Sequence, residues 1–115
     1  MGNWEPMTSP IDWDYLATLS GGDREFELEL LQTFVEDAQQ RLAALAEAVN
    51  QGNVDQIKRE AHHLKGASGN VGISAMQAVA AQLEQSTTTE TLGQAKALIE
   101  ELQRLFNTVV SEVSA

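Results

Sequence analysis

Six apolar residues, Leu31, Val35, Ala38, Leu42, Leu45 and Val49, follow one another at steps of 4, 3, 4, 3 and 4. That spacing returns each side chain to one face of an α-helix and does not suit a strand, where the faces alternate every second residue. A helix is therefore predicted from Asp23, whose carboxylate suits an N-cap, to about Val49. The connection Asn50-Gln51-Gly52 is short, so the next helix is expected to return antiparallel. It opens at Asn53 with Gln56 as a capping pair, carries Ile57, Ala61, Leu64 and Ser68 inward, and weakens around Gly69 to Gly72.

The flanking segments read as helices too. Ser9-Pro10-Ile11-Asp12 resembles a helix start, with Ser9 as cap, Pro10 in the first helical position and Asp12 closing the box. That short helix is expected to bury Trp13 and Leu16 and to stop at Gly21-Gly22. A fourth helix, from about Ile73 to Gln85, places Met76, Val79, Ala80 and Leu83 inward. The turn Ser86-Thr87-Thr88-Thr89 follows, with Thr87 and Glu90 as a second capping pair. A last helix presents Ala95, Leu98, Leu102, Leu105, Val109 and Val113. No alternating β-branched run or Asn-Gly turn suggests a strand. The expected fold is all-α: an antiparallel four-helix bundle with a short additional N-terminal helix. Residues 1–8 are expected to be a flexible N-terminus and 9–115 the folded domain.

Composition narrows the function. A chain of 115 residues suffices for one packed core. Seventeen acidic residues against seven basic ones give a net charge of −10, which disfavours nucleic acid and anionic lipid as partners. There is no cysteine, which excludes disulfides and thiol chemistry. No apolar run reaches the roughly 18 to 20 residues of a membrane span, and no secretory signal opens the sequence, so a cytoplasmic protein is expected. A monomer is expected as well.

Three of the seven cations, Lys58, Arg59 and Lys65, cluster around the pair His62-His63. A helix turns about 100° per residue, so with Leu64 at zero the inward stripe centres near roughly 30°. His62 then falls near roughly 160°, flanked by Lys65, Lys58, Gly69, Gly66 and Arg59 between about 100° and 220°. His63 falls near roughly 260°, beside Glu60, Ala67 and Asn70. Each glycine in a helix interior costs about 0.8–1.0 kcal/mol relative to alanine. Gly66 and Gly69 both clear side chains from the face of His62, where another protein's backbone can approach. Lys58 and Lys65 are placed to offset the charge of a phosphoryl group on the ring.

His62-x-Leu64-Lys65-Gly66, preceded by Ala61 and followed by Ala67-Ser68 and Val71-Gly72, resembles the histidine-containing phosphotransfer (HPt) domain family. The helix plan fits that family over about residues 10 to 113. The resemblance implies a phosphorelay intermediate that accepts a phosphoryl group from a receiver-domain aspartate and passes it to another receiver aspartate. It implies His62 as phosphoacceptor, His63 as a variable neighbour, Lys65 as an electrostatic aid and Gly66 as clearance for the receiver. Its partners are then response-regulator receivers or a hybrid sensor histidine kinase. The magnesium-dependent chemistry belongs to the receivers, so neither a cofactor or metal nor autonomous kinase activity is expected here. Where some members carry a fourth-helix glutamine that bonds the histidine region, this chain has Glu84, which either points away or accepts a bond from the ring. Val71, Ile73, Phe26 and Leu30 are candidate docking residues.

Two other readings compete. Glu60-Ala61-His62-His63 contains a Glu-x-x-His step of the kind used by di-iron bundles, but no second such step exists and this one faces outward. A plain helical adaptor or dimerisation module accounts for the bundle and the acidity, but not for two glycines and three cations on one exposed face.

Overall fold

The computed structural model describes residues 9–114. The flexible terminus expected over residues 1–8 lies outside the described residues, as does Ala115. Five helices follow in order: α1 (Trp13–Ser20), α2 (Arg24–Gln51), α3 (Val54–Asn70), α4 (Ser74–Ser86) and α5 (Leu92–Ser114). Helices α2 to α5 form a ring in which each packs on the next and α5 closes back on α2, while α1 lies against α2. This is the expected antiparallel four-helix bundle with a short additional helix, and no strand occurs among the described residues. No helix among them is long and apolar enough to cross a membrane.

Asp23 and Asn53 cap α2 and α3 as expected, accepting from the backbone N–H of Phe26 and Gln56 at 3.1 Å each. The start of α1 differs. Asp12 is the cap, accepting from Tyr15 N–H at 3.0 Å, and Ser9 is drawn away to donate to Glu112 Oε1 of α5 at 2.7 Å. Ile11 is buried between them, so the chain runs into the core before it can coil. Thr87 does not open α5 either. It is buried at the end of α4, where its hydroxyl donates to the Leu83 carbonyl at 2.6 Å. The turn is instead tied by Thr91, which accepts from Thr88 N–H and donates to the Ser86 carbonyl, each at 2.8 Å.

The core stripes of α2 and α5 are rotated from those expected. Leu31, Phe34, Ala38, Leu42, Leu45 and Ala48 are buried on α2, and Val35 and Val49 only flank them. On α5, Ile99 and Phe106 are buried, while Leu98, Leu105 and Val113 are half-covered. On α4, Met76, Ala80 and Leu83 are buried and Val79 flanks them, just as Leu16 of α1 is buried and Trp13 only half-buried. Each bundle helix meets two neighbours, and a strict seven-residue repeat drifts about 20° per heptad on a straight helix. The buried face is therefore wider than one 3–4 stripe and includes the intervening positions. In α3 the expected stripe is reproduced: Ile57, Ala61, Leu64 and Ser68 are all fully buried.

The turn into α4 is fixed by Gly72, whose φ of +74° favours glycine. A Cβ there would lie 2.5 Å from Cδ2 of Tyr15, and the Gly72 carbonyl accepts from Asp12 N–H at 3.3 Å. The start of α1 is thus docked onto the α3–α4 turn. The Val71 and Ile73 side chains on either side are buried and belong to the core, which removes them as docking residues. Phe26 remains exposed on the first turn of α2, and Leu30 is half-buried.

Candidate functional site

The inward stripe of α3 turns both histidines out of the bundle, with the His62 side chain 69% exposed and that of His63 47% exposed. Their ring nitrogens are used in opposite ways. His62 Nδ1 lies 2.8 Å from Glu84 Oε2 on α4, and His63 Nε2 lies 2.9 Å from Asp37 Oδ2 on α2. An ionised carboxylate only accepts, so in each ring the bonded nitrogen carries the proton. In the neutral ring this leaves the lone pair of His62 on Nε2, the outer nitrogen, which has no hydrogen-bond partner among the described residues. His63 has its outer nitrogen occupied and its lone pair on Nδ1, next to the helix backbone.

Glu84 settles the choice left open by the sequence: it faces α3 and accepts the bond. Its other oxygen, Oε1, is buried and lies 2.8 Å from Lys65 Nζ, a contact of opposite charges more than of aligned lone pairs. Lys65 is the largest cause holding the Glu84 carboxyl below its ordinary value of 4.5; partial burial opposes the shift and the His62 bond adds to it. Lys58, one turn before His62, reaches the same residue, donating to the Glu84 backbone carbonyl at 2.8 Å. In this conformation the two lysines beside His62 thus hold the end of α4, which offers unsatisfied carbonyls and the negative end of its dipole. Arg59 is exposed and makes no ion pair among the described residues.

The two glycines of the face have different surroundings. A Cβ on Gly66 would meet nothing within 4 Å, so the helix is bare beside the imidazole. A Cβ on Gly69 would fall 2.5 Å from Nε2 of Gln77, whose side chain covers that part of the face. Gly69 therefore accommodates α4 instead of leaving the surface open. Gln77 and Glu84 are seven residues apart and share the α4 face toward α3, a spacing readable in the sequence, although their reach across the groove is not.

His63 belongs to a chain of charges that joins α2 and α3. Asp37 Oδ1 accepts from Arg41 Nε at 3.3 Å, and Arg41 Nη1 donates to Glu60 Oε1 at 3.1 Å. Glu60, the largest cause, holds the Arg41 guanidinium above its ordinary value. The Glu60-x-x-His63 step is consequently engaged with a guanidinium at its centre, an arrangement that opposes a cation between the two side chains.

Comparison with known proteins identifies the family to which this bundle belongs. The sequence profile of the Hpt domain matches residues 29–112. The phosphorelay intermediate protein rdeA of Dictyostelium discoideum is 26% identical over 97 residues, an alignment covering 84% of this chain and 38% of that protein. The chain therefore spans little more than a third of the length of that curated relative. The crystal structure of histidine-containing phosphotransfer protein B (HptB) from Pseudomonas aeruginosa superposes with a TM-score of 0.79 at 31% identity, over 90% of each chain. The bundle, the profile match across α2 to α5 and this structural likeness together establish that the chain belongs to the Hpt domain family of histidine-containing phosphotransfer proteins.

Proposed function

We propose that the domain formed by residues 9–115 carries a phosphoryl group on Nε2 of His62, taking it from an aspartyl phosphate of one receiver domain and giving it to an aspartate of another. The observation that carries the assignment is the opposite use of the two imidazoles. Glu84 holds Nδ1–H of His62, so the outer nitrogen is the nucleophile, whereas Asp37 occupies the outer nitrogen of His63. An in-line attack on a bulky acyl phosphate needs a nitrogen that can be reached from outside the helix.

Each neighbour then has a part. Bare helix at Gly66 admits the receiver's backbone. The Lys65 ammonium, 2.8 Å from Glu84 Oε1 in the resting site, stands three residues after His62 on the same helix face and offsets the charge of a phosphoryl group on the ring. Lys58 and Arg59 raise the local potential on a protein whose net charge is −10, and Gly69 lets α4 bring Glu84 close. Phe26 offers apolar area to a docking receiver. The partners are response-regulator receivers or the receiver of a hybrid sensor kinase. The acidic charge argues against nucleic acid and membrane surfaces, and the site needs only one copy of the chain, as suits a monomeric cytoplasmic carrier.

Incubation with a receiver domain phosphorylated on its aspartate tests the assignment. The chain should acquire acid-labile, base-stable phosphate; His62→Gln should abolish it, and His63→Gln should retain most of it. Labelling that survives in His62→Gln and disappears in His63→Gln would refute the site, and no labelling from any of several receivers would leave the adaptor reading.

A further inference from the structure

Glu84 stands where it does more than orient the ring. Resting on the reading of His62 as acceptor, we infer that Glu84 is a positioning residue that retains the Nδ1 proton of His62 throughout transfer, so that the ring always departs from phosphorus as neutral imidazole. The juxtaposition is specific. Oε2 lies 2.8 Å from Nδ1, while Oε1 is held 2.8 Å from Lys65 Nζ on the same helix face as the histidine. The side chain is therefore anchored at both oxygens, and it is three-quarters covered.

The balance of the step explains why such an acceptor matters. When Nε2 attacks an aspartyl phosphate, the N–P bond forms as the O–P bond breaks, and the aspartate leaves with the electron pair. The proton on Nδ1 stays in place and the ring becomes a phosphoimidazolium. In the outward step a receiver carboxylate oxygen attacks phosphorus and the electron pair returns to Nε2. Neutral imidazole leaves, again with its proton on Nδ1. If that proton is lost to solvent between the steps, the leaving group is an imidazolate and outward transfer slows. A carboxylate within hydrogen-bond distance holds the proton by charge as well as by geometry, whereas an amide oxygen at the same place holds it by geometry alone.

The charges around the ring act in opposing directions. From α3, Lys58, Lys65 and Arg59 all neighbour His62 and disfavour a further positive charge on it. Glu84 of α4 is the acidic group that faces it, while Asp37 and Arg41 of α2 and Glu60 of α3 are engaged on the side of His63. Glu84 thus counters a cationic patch that otherwise favours loss of the Nδ1 proton.

The test is the pH dependence of outward transfer. The 115-residue chain, labelled from a phosphorylated receiver, is mixed with excess unphosphorylated receiver between about pH 6 and 9, and the rate of phosphate loss from the histidine is followed. In Glu84→Gln the alkaline fall-off should begin about one pH unit lower than in wild type, giving roughly tenfold slower transfer near its upper end. Lys65→Met, which leaves Glu84 to the ring alone, should not move the fall-off downward. Circular dichroism checks that each variant is folded. A Glu84→Gln profile that superimposes on wild type overturns the inference and leaves the His62 assignment standing. An equal downward shift in Lys65→Met also overturns it, since any break in the network would then act alike. Survival of labelling in His62→Gln instead overturns the reading beneath it.

Discussion

The carboxylate of Glu84 lies 2.8 Å from Nδ1 of His62, across the groove between α4 and α3, and shares its second oxygen with Lys65. This relationship has a pH signature. A carboxyl group whose folded pKa is depressed contributes stability that is complete above its unfolded value and lost as pH falls through the folded value. For Glu84 the contribution is therefore complete above about pH 4.5 and disappears as the solution is acidified below it. An NMR titration of its side-chain carbon should give a midpoint below 4.5. Lys65→Met should raise that midpoint more than His62→Ala does, because Lys65 is the larger cause; an unmoved midpoint in Lys65→Met would contradict the described contact.

Gly66 separates stability from function. With open space at its Cβ position, Gly66→Ala should stabilise the protein by about 0.8–1.0 kcal/mol through helix propensity. That is roughly 3 to 6 °C in Tm for a domain of this size. Gly66→Leu should fold as well as wild type yet lose most phosphate uptake from a receiver. Thermal melts and labelling on the same preparations check both halves.

Gly69 should respond differently. Alanine there meets the Gln77 amide, so the gain in propensity is partly spent on moving that side chain. Gly69→Ala should stabilise by less than Gly66→Ala, and the double variant Gly69→Ala, Gln77→Ala should recover the difference of some tenths of a kcal/mol. Urea denaturation of the set measures the coupling.

Gly72 has no such freedom. Its φ of +74° and the Tyr15 ring against its missing Cβ make Gly72→Ala destabilising by about 1–2 kcal/mol or more. The loss should come from undocking of α1, so hydrogen exchange should accelerate in α1 before it does so in α3. Uniform acceleration across all helices would argue against this.

Replacing His63 tests the other network. Asp37 keeps its bond to Arg41 when the ring is removed, so His63→Ala should cost under about 1 kcal/mol, as exposed ion pairs do. Leu64→Ala, one residue further along and fully buried, should cost about 2–5 kcal/mol. Chemical denaturation of the pair gives the contrast between the faces of a single helix.

Much of the bundle was legible before the structure. Asp23 and Asn53 announce two helix starts because a capping side chain acts on the backbone three residues away. The stripe Ile57, Ala61, Leu64 and Ser68 fixes which side of α3 is buried, and hence that both histidines face out. These are local facts, decided within one or two turns of chain.

What the tertiary structure decided lies between helices. It rotated the stripes of α2 and α5 to bury Phe34, Ile99 and Phe106. It moved the cap of α1 from Ser9 to Asp12, because Glu112 of α5 claims Ser9. It set Glu84 against His62 and Asp37 against His63, and turned Lys58 and Lys65 toward the end of α4. It placed Gln77 over Gly69. The sequence by itself determined that His62 and His63 would both be presented on one helix with cations and glycines around the first. Which nitrogen each ring leaves free depends on carboxylates 22 and 26 residues away in the chain, brought within about 3 Å by helix packing that no local periodicity encodes.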